Sequence, residues 1–216
     1  GYTSQMPRGI FITFEGGEGT GKSTQIARLA DTLRSAGREV VVTREPGGTP
    51  IAEAVRAILL DPRFEPDGVV EAFLYQAARR DHVETVVRPA LERGAVVLSD
   101  RFADSSLVYQ GLARGVGWDE VDRLNTLSTG GLQPDLTVVF DLDPRVVLDR
   151  ARGRNLGGIG RESRLDEEPL TFHEHVRAGF LELAHRFPER VRIVDAGGGP
   201  DDVFRRLCAA LPEGLT

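Results

Sequence analysis

Lysine is almost missing from this chain. Of the 27 Lys and Arg residues, Lys22 is the one lysine and the other 26 are arginine. Cysteine is as scarce: Cys208 stands alone, which excludes an internal disulfide and a cysteine-built metal centre. Near the end of an amphipathic stretch, it reads as a packing residue. No apolar run approaches the roughly 20 residues of a membrane span. The N-terminal GYTSQMPRG lacks the apolar stretch of a secretory leader, so the chain reads as cytoplasmic, with no membrane partner. Met6 is the only methionine; Gly1 to Gln5 read as a cloning remnant, and residues 6–216 as a single domain. Strong positive charge is also lacking. A net charge of −6 gives no reason to expect a nucleic-acid partner, although it leaves room for a local basic pocket. The length suits one large domain with a substantial core.

What is present alternates between two patterns. Runs rich in β-branched and apolar residues occur at 9–15, 39–43, 95–99, 136–140 and 191–194. Between them lie stretches of helical character at 22–36, 50–60, 69–93, 104–113, 118–129, 169–187 and 201–211, with a further helix starting at Pro144. This alternation predicts an α/β fold: a five-stranded parallel sheet flanked by helices on both faces. Residues 153–168, rich in Gly, Arg and Glu, have no apolar period and read as a mobile lid.

The first strand runs into Gly16-Gly17-Glu18-Gly19-Thr20-Gly21-Lys22-Ser23-Thr24. This fits the phosphate-loop pattern, with the strand before and the helix after that the motif requires. The glycines let the backbone curl until several N–H groups face one centre. The helix start adds its positive end. In this pattern Lys22 reaches the β- and γ-phosphates, Ser23 places a hydroxyl on Mg²⁺, and ATP is the expected donor. The same geometry accounts for the lone lysine. Ammonium is a compact point charge, whereas guanidinium is a broad planar fork. A loop wrapped around phosphate oxygens admits the first and not the second. The plainer alternative, a glycine-rich turn with a surface lysine, leaves the matching flanks unexplained.

Several classes share this loop. A guanine-reading Asn-Lys-x-Asp needs a second lysine, so a GTPase switch is excluded. Leu127-Ser128-Thr129-Gly130-Gly131-Leu132-Gln133, followed by the strand ending at Asp141, loosely resembles a transporter-type ATPase. However, Thr129 and Leu132 interrupt the signature, and Leu142 stands where that class needs a glutamate. Small-molecule phosphotransfer fits better. Arg44-Glu45 follows the second strand and Asp100-Arg101 the third, and ligands of open parallel sheets bind just beyond such strand ends. Asp100 can hold Mg²⁺ directly or through water; Arg44 and Arg101 can grip phosphate oxygens. Either arginine alone reads as a solvated surface charge. Their joint placement beside a phosphate loop favours a site.

Four stretches, FEGGEGTGKSTQ (14–25), TREPGGTP (43–50), YQAAR (75–79) and SDRFADSSLVYQG (99–111), together resemble the thymidylate kinase family, over Gly9 to about Leu211. The resemblance implies the P-loop NTPase, nucleoside monophosphate kinase fold. It implies Mg²⁺-dependent transfer of the ATP γ-phosphate to dTMP, giving dTDP. It also implies a homodimer built through long helices, for which 69–93 is the candidate. By resemblance, Glu18 faces the acceptor sugar's 3′-hydroxyl and Arg79 hydrogen-bonds the thymine carbonyl. Tyr75 stacks on the base, with core packing as the competing reading. Ser106 and Gln110 lie near the base edge, Tyr109 crowds the 2′ position, and Arg56 lies close to the thymine. Arg44 and Arg101 take the acceptor phosphate. A stacked face with hydrogen bonds to the base edge rejects a wrong base by orders of magnitude. The adenine end is barely readable; Arg150 and Asp195-Ala196 are its candidates. A kinase for another pyrimidine monophosphate, an ATPase subunit and a non-catalytic nucleotide-binding module are the alternatives.

Arg145, Arg150, Arg152, Arg154, Arg161 and Arg164 cluster in or before the lid. Phosphoryl transfer depends on positioning and on stabilising charge, and an arginine supplied to the transferring group is worth about 10³ to 10⁵ in rate. No arginine occupies the phosphate loop, so the chain resembles the lid-arginine bacterial type. Arg164 is the best match for the catalytic arginine, with Arg154 and Arg161 as the other candidates. The bland reading is a solvated loop partly neutralised by its own carboxylates. His82, His173, His175 and His185 have no metal-ligand partners in the sequence and read as surface or packing residues.

Overall fold

The computed structural model describes residues 8–147 and 168–215. The apolar runs form strands β1 (Ile10–Gly16), β2 (Val40–Arg44), β3 (Val96–Asp100), β4 (Leu136–Asp141) and β5 (Val191–Asp195). They form one five-stranded sheet in the order β2-β3-β1-β4-β5, with every pair parallel. Each strand extends one residue past its apolar run. The ladder continues where hydrophobicity stops, because Gly16, Arg44, Asp100, Asp141 and Asp195 still hold register with a neighbour. The expected charged residues at positions 44 and 100 are therefore strand ends rather than loop residues.

Helices connect the strands: α1 (Lys22–Ser35), α2 (Pro50–Leu60), α3 (Gly68–His82), α4 (Arg88–Glu92), α5 (Ala103–Ser106) and α6 (Trp118–Thr129). Residues 144–147 are helical and are labelled α7; α8 (Leu170–Arg186) and α9 (Pro200–Ala210) follow. Local chemistry sets several ends. Thr49 caps α2 by accepting from the Ala52 N–H, with Pro50 in the first turn, where its missing N–H costs nothing. Asp67 caps α3 through the Val69 and Val70 N–H groups. Gly130 ends α6 in the left-handed conformation, a common helix stop.

Two helices expected as regular contain wider turns. Residues 69–93 follow one helical path, but a π-helical turn at Val83–Val87 joins α3 to α4. Pro89, just inside α4, removes a donor from the regular ladder. The expected helix at 104–113 is α-helical only at its start and π-helical over Leu107–Ala113. Such turns gather at functional sites, and this one carries Tyr109 and Gln110.

Side chains alternate across the sheet. On one face Ile12, Phe14, Leu98, Val138 and Phe140 pack against Leu29, Leu33 and Leu207. On the other, Phe11 and Val97 meet Val83 and Val87, while Val139 and Val191 meet Val176, Phe180 and Leu183. A sheet covered on both faces explains the near-continuous apolar runs. Each buried Leu or Phe stabilises by about 1.5–3 kcal/mol, which fixes β1, β3 and β4, the strands whose ends carry the site. Cys208 is half-buried on α9. No helix among the described residues is long and apolar enough to cross a membrane.

Candidate active site

At the end of β1 the chain turns away from the sheet. Gly16 has φ +129°, and a Cβ there would lie 2.4 Å from the Phe140 carbonyl oxygen. Gly21, φ +88°, precedes α1 in the left-handed region. The first position is closed by space and the second by conformation. Lys22 folds over the loop, its Nζ donating to the carbonyls of Gly17 at 3.0 Å and Gly16 at 3.4 Å. Burial pushes the lysine pKa down and Arg101 adds to that, while Asp100, Glu18 and Glu15 pull it up. Thr20 Oγ1 donates to the Gly17 carbonyl, which closes the loop on itself. Ser23 Oγ donates to Asp100 Oδ2 at 3.1 Å, so the two expected metal ligands stand together. A hydroxyl beside a carboxylate suits Mg²⁺, which takes few protein oxygens and keeps waters and phosphates as its other ligands. Among the described residues, no group of three or more His, Cys, Asp or Glu could hold a metal alone.

Arg101 follows β3 with φ +69°, the one non-glycine residue among those described with a positive φ. That conformation costs an ordinary residue about 1–2 kcal/mol. Its surroundings hold it there. The Arg101 N–H donates to the Phe14 carbonyl at 2.9 Å, and its carbonyl accepts from Ser99 Oγ at 2.7 Å. Nη1 donates to the Gly16 carbonyl and to Ser105 Oγ, and Nη2 to Glu18 Oε1 at 2.6 Å. The guanidinium stands 5.2 Å from the Tyr109 ring centroid. Burial alone lowers the Arg101 pKa, but Tyr109, Glu18, Glu15 and Asp100 outweigh it and hold the group charged. Burial likewise raises Glu18, but Arg101 and Lys22 overcome this and keep its carboxyl below the usual range.

A small pocket opens beside this corner. Tyr75 and Arg79 reach it from α3, and Tyr109 and Gln110 from the π-helical turn; Glu45, Phe102 and Ser105 complete it with Arg101. Arg79 is 1% exposed. Its Nε donates to Glu45 Oε2 at 2.8 Å, Nη1 donates to Gln76, Ser106 and Asn125, and Nη2 to Ser106 and the Phe102 carbonyl. Every nitrogen of the fork is engaged within the protein. Glu45 sits below its ordinary pKa: burial raises it, but Arg79 and His82 outweigh burial.

Other expected residues stand elsewhere. Arg44 is exposed and pairs with Glu53 at 2.9 Å, and Arg56 Nη1 donates to the Pro46 carbonyl; neither lines the pocket. Ser106 lies behind Arg79, and Ser105 takes the lining position. Asp195 ends β5, where it accepts from the Gly197 N–H. Arg150, Arg154, Arg161 and Arg164 fall outside the described residues, as does nearly all of the expected lid.

Sequence reasoning missed the layer beneath the site. Glu15 is fully buried. It accepts from the Phe102 N–H at 2.9 Å, the Ser105 N–H at 3.2 Å and Ser105 Oγ. Burial pushes its pKa to about 7 despite Arg101. A carboxylate inside an apolar strand was its only signal. Asp104, also buried, takes both Nη groups of Arg190, from 86 residues away, together with Thr137. His82, expected at the surface or in plain packing, is fully buried and hydrogen-bonded to Glu45 at 2.9 Å and Thr43 at 2.7 Å. It braces the pocket carboxylate rather than filling space.

Comparison with known proteins agrees with this geometry. The family model for thymidylate kinase matches residues 14–207. A thymidylate kinase of Deinococcus radiodurans is 50% identical over 96% of this chain and 98% of its own length. One from Geobacter sulfurreducens is 53% identical over 88% of the chain and 91% of its own length. One from Geobacillus thermodenitrificans is 50% identical over 94% and 89%. The match runs through the loop around Lys22, the pocket around Arg79 and the corner at Arg101 alike, and the chain belongs to the thymidylate kinase family.

Proposed function

We propose that this chain transfers the γ-phosphoryl group of ATP to dTMP, forming dTDP, in the cytoplasm. The observation that carries the reading is the placement of Arg101, which lines the pocket and also bonds the phosphate loop at Gly16 and Glu18. A monophosphate whose base lies between Tyr75 and Gln110 directs its phosphate toward that corner. An acceptor phosphate oxygen attacks the γ-phosphorus, the bond to the β,γ-bridging oxygen breaks, and ADP leaves. The nucleophile is already an oxyanion, so no protein base is needed. The chain's contribution is positioning and charge: main-chain amides and Lys22 on the donor, Arg101 on the acceptor, and Arg164 on the transferring group. Glu18, held by Arg101, faces the sugar. Ser23 and Asp100 would hold Mg²⁺, which neutralises donor phosphate oxygens when bound.

The same reading includes a homodimer. Val69, Val70 and Phe73 on α3, Ile51 and Ile58 on α2, and Leu127 on α6 are all exposed. On α3 they recur at spacings of three and four and on α2 at seven, one apolar stripe on each of these two helices. Stripes of this kind on a soluble chain favour a partner surface.

A coupled assay with ATP and a panel of monophosphates tests the function. The expected result is highest kcat/KM with dTMP. Preference for dUMP or dCMP overturns the substrate. ATP hydrolysis indifferent to every monophosphate points to an ATPase, and nucleotide binding without transfer points to a binding module.

A further inference from the structure

Gln110 lines the acceptor pocket, and its Nε2 donates to Glu71 Oε1 at 2.8 Å. Both residues are almost fully buried. A glutamine amide has two unlike ends: the nitrogen donates, and the oxygen accepts. Which end faces a ligand depends on what holds the other. Here the partner is the carboxylate of Glu71, itself beside Arg114 at 3.5 Å. A carboxylate accepts and does not donate, so the amide nitrogen is drawn toward Glu71. The carbonyl oxygen is the end left for the pocket.

We propose that Glu71 is a specificity-determining positioning residue: by holding the Gln110 amide nitrogen, it presents a hydrogen-bond acceptor to the base and thereby excludes cytosine. The inference rests on the acceptor reading above and extends it to the choice of base. The fork of Arg79 is fully engaged by the protein, so the Gln110 amide is the group whose polarity the base edge meets. Thymine and uracil carry N3–H at that edge, a donor that the carbonyl oxygen accepts. Cytosine does not. Its N3 is unprotonated, an acceptor that the same oxygen opposes. An amide turned end for end would donate to it. Glu71 thus prevents the one rearrangement that would admit cytosine.

The test compares kcat/KM for dTMP and dCMP in the full-length enzyme, its Glu71→Gln variant, and a double variant carrying Glu71→Gln with Gln110→Glu. In the single variant position 71 can donate as well as accept, which frees the amide at position 110 to turn. The dTMP-to-dCMP ratio is expected to fall by about tenfold or more, the worth of one hydrogen bond made rather than opposed. The ratio of dTMP to dUMP, which share the edge, stays as in the wild type. In the double variant an oxygen again faces the base, and the dCMP discrimination returns. An unchanged dCMP ratio in a folded single variant overturns the proposal. If the single variant does not fold, the double variant decides: retained discrimination supports the proposal and lost discrimination overturns it. A wild-type enzyme that does not prefer dTMP overturns instead the reading on which the proposal rests.

Discussion

At the phosphate rim, Lys22 rests on main-chain carbonyls, those of Gly16 and Gly17. In the acceptor pocket, Arg79 rests largely on side chains: Gln76 one turn away, and Glu45, Ser106 and Asn125 from far along the chain. The first arrangement is local and repeats wherever the same loop occurs. It recognises a feature common to all triphosphates. The second is assembled by the fold and its shape depends on residue identity at each contact. It is suited to choosing among bases. The contrast explains how one chain combines a general donor site with a selective acceptor site.

The largest expected effect tests the rim. Replacing Lys22 by Ala lowers kcat by roughly 10³-fold or more, the scale on which cations act in phosphoryl transfer. Lys22→Arg keeps the charge and is expected to fail almost as badly, because the fork does not fit the loop. Steady-state rates decide; recovery of more than about a tenth of wild-type activity in the arginine variant contradicts the argument from shape.

A second experiment tests the pocket. Arg79→Ala strands Glu45, a buried carboxylate paired with Arg79 at 2.8 Å, and breaking such a pair costs about 3–5 kcal/mol. Thermal melts should register that loss. In the surviving enzyme, the KM for dTMP is expected to rise far more than the dissociation constant of an ATP analogue. Equal weakening of both removes the distinction between the two halves.

The smallest effect is a pH slope at their junction. Glu15 titrates near 7 in the fold against a reference of 4.5. Between those values the native state binds more protons than the unfolded chain, so this group's contribution to stability falls as pH rises. Glu15→Gln removes that slope. Melting temperatures across pH 5 to 8 should show the wild type losing ground relative to the variant as pH rises, and parallel curves would argue against a buried, titrating Glu15.

What could be read from sequence follows the same division. The phosphate loop is contiguous, and Lys22, Ser23 and the strand ends at Arg44 and Asp100 could be placed from local pattern alone. Hydrophobic runs marked all five strands, since a sheet buried on both faces leaves little else in them. Tyr75, Arg79, Tyr109 and Gln110 could be nominated only through resemblance. Their braces were illegible: His82 finds Glu45 across 37 residues and Asp104 finds Arg190 across 86, and no period or spacing encodes a contact of that span. The π-helical turn at Leu107–Ala113 was also hidden, because a short apolar run reads the same in either helix. Regular periodicity would have aimed Tyr109 and Gln110 differently.

The left-handed backbone at Arg101 also bears on how this enzyme can evolve. Glycine occupies that conformation without strain, but the exchange also removes the cation beside Glu18 at 2.6 Å and the fully buried Glu15 at 3.9 Å, and an unpaired buried carboxylate costs more than the strain relieved. Robustness and turnover therefore pull in the same direction at one codon, and a screen for either retains the arginine.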